Sequence, residues 1–270
     1  MIDAHFHIWQ IARADYGWLT PAQGAIYRDV ALADWRAVSR PCGIAGGVLV
    51  QAAPTEAETA FLLAQAASAD DVLGVVGWVD LLARDAPQRI EALARNPKLK
   101  GLRPMLQDIP DPDWILQAAL APAFEAMLAC DLTFDALVTP QHLPRIALLA
   151  RRYPGLRIVL DHGAKPDIAH GQWQSWAIPL AQLSRLPNLV CKLSGLWTEA
   201  GGSAPVSALA RYADHVLACF GATRVLWGSD WPVLERAGDY ARWLDAARSW
   251  VATPNRAEVF ENVAKRVYRL

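Results

Sequence analysis

Two histidines separated by a single residue, His5 and His7, stand near the start of the chain. They belong to a short apolar run, residues 2–8, with the composition of a β-strand. Because residues i and i+2 point to the same face of a strand, the two imidazole rings project side by side. Two adjacent imidazoles supply half of a metal site, whereas burying them without partners would be costly. The spacing therefore indicates a metal-binding or catalytic pair.

Two further polar residues, His162 and Asp230, follow apolar runs much later in the chain. His162 comes after residues 157–160 and the acid Asp161, and Asp230 comes after residues 225–227. In a closed barrel of eight parallel strands, all strands open onto the same mouth at their carboxyl ends. A lone histidine is more often a core residue. The placement of all four residues at strand ends predicts that they converge on one site.

The rest of the chain alternates short apolar runs with longer amphipathic stretches, which is the pattern of repeated βα units. Eight apolar runs are present, at residues 2–8, 45–52, 73–79, 99–106, 132–138, 157–160, 189–193 and 225–227. Runs that are apolar on both faces are typical of a parallel sheet buried between helices and a barrel interior.

Helix signals lie between these runs. Thr55 and Glu58 match a capping box, in which the Thr hydroxyl and the Glu carboxylate each accept a backbone N–H at the helix start. Pro87, Pro122 and Pro144 fit the first turns of further helices. The pattern predicts four more helices, at residues 172–186, 206–220, 239–251 and 256–268. Since no Ser-, Gly- or Pro-rich linker divides the chain, we predict one domain, residues 1–270, folded as a single (β/α)8 TIM barrel.

The composition narrows the class of protein. Its 270 residues are 53% hydrophobic and 20% charged, so the chain can bury a large core. The formal charge of −1 provides no basic face for nucleic acid. No apolar run approaches the roughly 18 residues of a membrane helix, and the N-terminus lacks the features of a secretory signal. Because the four cysteines show no CxxC spacing, we expect a cytoplasmic protein with reduced thiols. The sequence leaves open whether the protein forms homo-oligomers.

Several stretches of the chain resemble one enzyme family. They are DAHFHIW, LKGLRPMLQD, FDALVTPQHLP, VLDHGAKP, CKLSGLWTE, LWGSDWPV and the closing ENVAKRVYRL. In this order they are similar to the amidohydrolase superfamily, and within it to the sugar lactonases of the L-fucono- and L-rhamnonolactonase type, related to the pyrone dicarboxylate lactonases. The HxH pair alone is a weak signal, but its combination with DHGAKP and GSDWP is specific.

The resemblance implies a (β/α)8 barrel whose catalytic centre contains His5, His7, His162 and Asp230. Members with two metal ions carry a bridging Lys or Glu near the fourth strand and a histidine after the fifth. This chain has Arg103 and Asp135 there. We therefore expect at most one divalent ion, held by His5 and His7 with His162 and Asp230 as further candidate ligands. Zn²⁺ is favoured by this set of imidazole and carboxylate groups, and we expect activity to depend on it only weakly.

Other polar residues near the expected mouth are candidates for binding substrate. Arg103 and Asp135 lie on neighbouring strands, and if both point inward they form an ion pair that leaves guanidinium donors for a substrate or for charge on a carbonyl oxygen. A purely structural ion pair is the equal alternative. His142 and Lys165 follow the fifth and sixth strands and can reach a sugar hydroxyl or carboxylate, although for either residue alone a solvated surface position is the slightly better explanation.

Aromatic residues and two long loops also surround the expected mouth. Trp9, Trp78, Trp197 and Trp231 fall at or just after predicted strands, where a flat ring suits the C–H face of a sugar, although core packing is the commoner role. Among them Trp197 is our candidate for substrate binding. Two connections, residues 10–29 and 107–114, are longer than a βα loop needs and are predicted to form pocket walls or lids.

Taken together, the residues and the resemblance predict a hydrolase that opens a sugar-derived lactone to the aldonic acid. Asp230 would take a proton from the attacking water, His162 would help to polarise the water or the carbonyl, and Arg103 would stabilise the developing negative charge. A metal-dependent decarboxylase of an aromatic or unsaturated acid is the alternative enzyme. A binding protein on a decayed barrel is a third possibility, which the retention of all four strand-end residues disfavours.

Overall fold

The strands of the protein follow one another in chain order around a single parallel sheet. A computed structural model describes residues 1–201 and 204–270. The strands are β1 (Ile2–Phe6), β2 (Gly46–Val50), β3 (Val72–Gly77), β4 (Leu99–Leu102), β5 (Thr133–Ala136), β6 (Ile158–Leu160), β7 (Leu189–Leu193) and β8 (Val225–Trp227). Each predicted apolar run overlaps one of these strands. The ring closes beyond β8, where the Asp230 N–H donates to the His5 carbonyl at 2.8 Å. The predicted TIM barrel is therefore confirmed.

Helices surround this sheet. They are α1 (Leu32–Ser39), α2 (Glu56–Ala67), α3 (Ala86–Ala94), α4 (Ala121–Ala129), α5 (Leu143–Arg152), α6 (Gln174–Leu183), α7 (Leu196–Glu199), α8 (Ala210–Phe220), α9 (Tyr240–Trp250) and α10 (Val263–Tyr268). The short helices α1 and α7 were not predicted, because neither shows a strong start signal. Among the described helices, none is both long and apolar enough to cross a membrane.

The predicted capping box at the start of α2 is only half formed. The Thr55 hydroxyl accepts the Glu58 N–H at 3.0 Å, as expected. The Glu58 carboxylate, however, does not return to Thr55; it accepts the backbone N–H of Ala52 at 3.1 Å. The predicted helix start is therefore confirmed, and the predicted hydrogen bond from the Thr55 N–H to the Glu58 carboxylate is wrong.

The hydrophobic core has two parts. The larger part fills the space between the sheet and the helices, while a smaller cluster inside the barrel combines strand residues such as Ile2, Val48 and Leu226 with Val267 and Tyr268 of α10. Helix α10 thus closes one end of the barrel. Strand β1 carries a register shift between Asp3 and Phe6 relative to β2. The stretch in which the register shifts contains His5, and an irregularity of this kind changes the direction of side chains.

Candidate active site

A cavity of about 170 Å³ opens at the carboxyl ends of the strands. This is the end at which barrel enzymes bind their substrates. Its walls come from the ends of several strands and from the loops that follow them. The lining residues are His7, Trp18, Ala52, Arg103, Met105, Gln107, Asp108, Leu137, His162, Lys165, Asp230, Val233 and Arg236.

The structure brings His5 of β1, His7 just after this strand and Asp230 together, and of these three His7 and Asp230 line the cavity. His5 Nε2 and His7 Nε2 are 3.2 Å apart, and Asp230 Oδ1 lies 3.3 Å from His7 Nε2 and 3.6 Å from His5 Nε2. His162 Nε2 is 3.8 Å from the same carboxylate oxygen. All four residues are at most 4% exposed. Residues distant in sequence therefore share one buried cluster.

Hydrogen bonds beyond the cluster orient two of the imidazoles. His7 Nδ1 lies 2.7 Å from the Val50 carbonyl, which can only accept, so this nitrogen carries the proton and Nε2 keeps a lone pair toward the cluster. His162 Nδ1 forms a hydrogen bond with the Ser194 hydroxyl at 2.9 Å.

The residue after Ser194, Gly195, has φ +65°, and a Cβ there would lie 2.6 Å from His162 Cγ. Only glycine fits this close approach.

Backbone strain is concentrated at the same place. His162 and Asp230 adopt left-handed conformations, with φ of 55° and 58°, and Ala164 and Lys165 follow with 61° and 49°. A non-glycine residue in this region costs of the order of 1–3 kcal/mol, and such residues cluster at functional sites. The left-handed turns point the two side chains into the cavity, where both contribute to its lining.

The electrostatics of the cluster favour an ionised Asp230 carboxylate beside neutral His5 and His162 rings. Burial acts to raise the pKa of Asp230, but His162, His7 and His5 outweigh it and hold this pKa below its usual range. Burial lowers the pKa of His162 to about 4, although Asp230 and Asp161 act in the opposite direction. Burial and the Lys192 ammonium lower the pKa of His5 well below its ordinary value. At neutral pH, Asp230 is therefore ionised.

These residues also satisfy the requirements of a single metal ion. In a tetrahedral site with metal–nitrogen bonds of about 2.0–2.1 Å, neighbouring ligand atoms are about 3.3 Å apart. The separations of 3.2, 3.3 and 3.6 Å among His5, His7 and Asp230 are close to this edge length. The three donor atoms are also of the types that zinc prefers. The residues present therefore fit one divalent ion.

Arg103 does not form the predicted ion pair with Asp135. Its Nη1 donates to Asp161 Oδ2 at 3.1 Å, and its Nη2 donates to the Gln51 carbonyl. In a TIM barrel the side chains of one layer come from alternate strands. Arg103 follows β4 and meets Asp161 after β6, whereas Asp135 of the intervening strand β5 belongs to another layer. Arg103 Nε is buried without a hydrogen-bond partner among the described residues, and the side chain lines the cavity.

Lys192, which the sequence analysis did not single out, takes the place expected for Arg103. This fully buried β7 residue donates to Asp135 Oδ2 at 2.6 Å, and its Nζ lies 2.9 Å from Asp161 Oδ1 and 3.2 Å from His5 Nδ1. The signal was present in the sequence, since a lysine interrupts an otherwise apolar buried strand. A buried ammonium requires such partners.

Three of the four residues predicted to bind substrate lie outside the cavity lining. Asp135 is fully buried, with Lys192 and the Tyr268 hydroxyl as its partners. His142 turns back on the start of its helix, where Nδ1 lies 3.0 Å from the Thr139 hydroxyl. Trp197 is 3% exposed and donates to the Ala204 carbonyl at 3.0 Å. Each of the three side chains contacts protein groups and none lines the cavity, so their role in binding substrate stays a prediction.

The fourth residue, Lys165, does line the cavity, and its Nζ lies 3.2 Å from Glu199 Oε1. The two long loops also reach it: residues 10–29 contribute Trp18, and residues 107–114 contribute Gln107 and Asp108. Arg236, in the turn after β8, is a further lining residue that sequence reasoning missed. Neither Trp18 nor Arg236 follows a strand directly, so strand-end positions alone did not identify them.

Comparison with known proteins places this site in a family. The amidohydrolase family matches residues 2–270, which is almost the full chain. The chain belongs to the amidohydrolase family. This amidohydrolase is 48% identical to the L-fucono-1,5-lactonase of Burkholderia ambifaria over 276 residues, covering 100% of the chain and 95% of the relative. It is 32% identical over 284 residues to the L-fucono-1,5-lactonase of Burkholderia multivorans, covering 100% and 96%.

A solved structure is similar to the amidohydrolase along its whole length. The crystal structure of an amidohydrolase from Burkholderia multivorans with bound zinc has a TM-score of 0.95 and 33% identity, and the match covers 100% of this chain and 99% of that one. The family resemblance inferred from the motifs is therefore confirmed.

Proposed function

We propose that this amidohydrolase is a hydrolase that opens L-fucono-1,5-lactone, or a sugar lactone of closely related shape, to the aldonic acid. The observation that carries the proposal is the 48% identity to an L-fucono-1,5-lactonase across the whole chain. The site is consistent with it, because a cavity of about 170 Å³ accepts one sugar ring, and an ionised carboxylate stands at its floor.

In the proposed reaction, a water molecule attacks the lactone carbonyl and the ring ester bond breaks. Asp230 takes the proton of the attacking water: its Oδ1 faces the imidazoles of His5, His7 and His162, so its other oxygen, Oδ2, is the one left to accept the proton. The same proton then passes to the departing ring oxygen, which becomes a hydroxyl of the product. Water is thus consumed, and the acid product releases a proton to the medium at neutral pH.

Negative charge develops on the carbonyl oxygen during the attack, and Arg103 is the donor placed to stabilise it. Each of its two terminal nitrogens donates to a protein group, Asp161 or the Gln51 carbonyl, whereas its Nε has no protein partner among the described residues. A buried donor without a partner is unusual unless a ligand or water supplies one. Because the guanidinium is already fixed, little reorganisation accompanies the reaction.

We propose further that His5, His7 and Asp230 hold one zinc ion, with His162 beside them. When bound there, zinc would act as a Lewis acid that polarises the lactone carbonyl or the water. On the other side of the ring, Asp161 Oδ1 lies 3.5 Å from His5 Nδ1, and a proton on Nδ1 directed at this carboxylate would leave the Nε2 lone pair for the ion.

The decarboxylase alternative is not favoured, because the relatives of 48% and 32% identity are both lactonases. For the location we propose the cytoplasm, which is consistent with the four cysteines, Cys42, Cys130, Cys191 and Cys219, all being unpaired.

A panel of aldono-1,5- and 1,4-lactones in weakly buffered indicator tests the function. We expect rapid acidification with L-fucono-1,5-lactone, above the spontaneous rate, and slower turnover with lactones of other configuration. Asp230→Asn serves as the matched control, since it preserves the size of the side chain and removes the base. Turnover of no lactone in the panel, or carbon dioxide release from an aromatic acid, would refute the assignment.

A further inference from the structure

The segment between β1 and α1 forms one wall of the cavity. We call residues 10–29 the first loop. Within it, Trp18 lines the cavity, and its indole Nε1–H donates to the Ala52 carbonyl at 2.7 Å. Ala52, which follows β2, lines the cavity as well. The wall therefore consists of two segments joined at this hydrogen bond.

One carboxylate, that of Glu58 in the first turn of α2, binds both segments from behind. Glu58 Oε2 accepts the Tyr16 hydroxyl at 2.6 Å, and Oε1 accepts the Ala52 N–H at 3.1 Å. Arg13 Nη2 lies 3.5 Å from Oε2, and Arg13 Nε donates to the Tyr16 hydroxyl at 3.2 Å. Tyr16 and Arg13 belong to the first loop, so Glu58 fastens this loop to the strand end that carries Ala52.

The neighbouring charges reinforce the same junction. Asp15 Oδ2 accepts from Arg13 Nη2 at 2.7 Å and from the Thr55 hydroxyl at 2.8 Å, which ties the first loop to the start of α2 a second time. Arg13 also stacks over Phe61 of α2, with its guanidinium carbon 4.6 Å from the ring centroid. Arg13, Asp15 and Tyr16 are thus the charged and titratable groups around Glu58.

A capping role for α2 does not explain these contacts. Glu58 has no exposed surface, and burying a carboxylate is costly unless its oxygens are satisfied. A helix cap needs no such burial, since the capping hydrogen bond forms equally well at the surface. The side chain has instead turned away from the helix start toward residues of the cavity wall.

We infer that Glu58 is a positioning residue for substrate binding, which holds the first loop closed so that Trp18 and Ala52 shape the cavity. The residue touches neither the cavity nor the Asp230 cluster, so it acts through these two wall residues. This role rests on the proposed function for the identity of the substrate. Loss of this role should raise KM more than it lowers kcat, because the groups that carry out the chemistry lie on other loops and strand ends.

Steady-state kinetics of Glu58→Ala and Tyr16→Phe with L-fucono-1,5-lactone tests this role. Loss of one or two of the hydrogen bonds corresponds to an increase in KM of about fivefold or more, with kcat changed by less than about threefold. The matched control is Glu56→Ala, which removes an exposed carboxylate from the same helix turn, paired with Arg89 at 2.7 Å. Its KM should equal that of the wild type. Unchanged KM in both test variants, with circular dichroism showing folded protein, would overturn the inference.

Hydrogen–deuterium exchange of peptides from residues 10–29 provides a readout that does not depend on any activity. We expect faster exchange in Glu58→Ala than in the wild type and in Glu56→Ala, with the peptides of β4 to β8 unchanged. If the wild type hydrolyses no lactone but this exchange increases, the function is wrong and the fastening role stands. If the lactone is hydrolysed and the first loop exchanges equally in all three proteins, the fastening role is wrong.

The pH dependence of KM separates positioning from a general loss of structure. Burial raises the pKa of Glu58 to about 7, although Tyr16, the Ala52 N–H and Arg13 act to lower it. An open loop would expose the carboxyl and return it to an ordinary pKa, so raising the pH through 7 favours opening. KM of the wild type should therefore increase between pH 6 and 8 relative to that of Glu58→Gln, which retains the shape without the ionisation. A constant ratio of the two KM values would contradict this.

Discussion

Glu58→Gln should change the way in which the stability of this protein depends on pH. The carboxyl group is buried, and burial raises its pKa from the ordinary 4.5 to about 7. Glutamine has nearly the same shape and does not ionise. Its amide can accept the Ala52 N–H through oxygen and donate to the Tyr16 hydroxyl through nitrogen, so the two contacts seen in the structure can persist.

The sign of the effect follows from proton linkage. Since the folded protein holds the Glu58 proton more tightly than the unfolded chain, the protonated carboxyl adds stability below pH 4.5, and this contribution is lost as the pH rises through 7. One pKa unit is worth about 1.4 kcal/mol, so the full loss is about 3.4 kcal/mol. Between pH 5 and pH 8.5 the same relation predicts a loss of about 2.5 kcal/mol. The wild type should therefore lose stability relative to Glu58→Gln over this interval.

Urea unfolding followed by circular dichroism at several pH values measures this difference. Other titrating groups, such as Asp230 and His162, affect both proteins alike and cancel when the two free energies of unfolding are subtracted. The control is Glu56→Gln, whose parent carboxylate is 39% exposed and should give no such slope. A difference between wild type and Glu58→Gln that varies by less than about 0.5 kcal/mol, or that varies in the opposite direction, would refute the reasoning. Titration of the carboxyl by ¹³C NMR would check the pKa directly.

Three further outcomes follow from the site. Asp230→Asn should lower kcat on L-fucono-1,5-lactone by about 100-fold or more while the circular dichroism spectrum is retained, and activity within a few fold of the wild type would exclude this residue as the base. Lys192→Met should destabilise the protein by about 3–5 kcal/mol in urea unfolding, because it leaves the buried carboxylates of Asp135 and Asp161 without their ammonium partner; a loss below about 1 kcal/mol would show that these carboxylates do not need it. Metal analysis should find at most one equivalent of zinc per chain, and chelation should reduce turnover only weakly; two equivalents, or complete loss of turnover restored only by zinc, would contradict a single, weakly required ion.

Local sequence patterns were sufficient for the barrel and for part of the site. The period-two pattern of a strand placed the rings of His5 and His7 on one side, and their Nε2 atoms are 3.2 Å apart. Because parallel strands share a common mouth, His162 and Asp230 were predicted to lie beside these rings. In the structure His162 Nε2 is 3.8 Å from Asp230 Oδ1. The first prediction depends on the period of a single strand, and the second on the barrel that the repeated βα pattern predicts.

Which side chains meet across the barrel was decided only by the tertiary structure. Arg103 and Asp135 lie on adjacent strands, yet Arg103 pairs with Asp161 and Asp135 with Lys192. Alternate strands share a layer, and the stagger that sets these layers comes from closing all eight strands into one ring. No single strand contains this information. The sequence therefore identified the charged residues but did not predict which of them form ion pairs.

The same distinction applies to the walls of the cavity. The capping pattern determined where α2 begins, since the Thr55 hydroxyl and the Glu58 N–H are local to that turn. The direction of the Glu58 carboxylate was determined by Tyr16, 42 residues away in sequence, and by the Ala52 N–H. Periodicity and capping are short-range properties of the chain, so they specify elements and their starts. Burial and long-range hydrogen bonding arise only when those elements pack, and they determined which residues line the cavity.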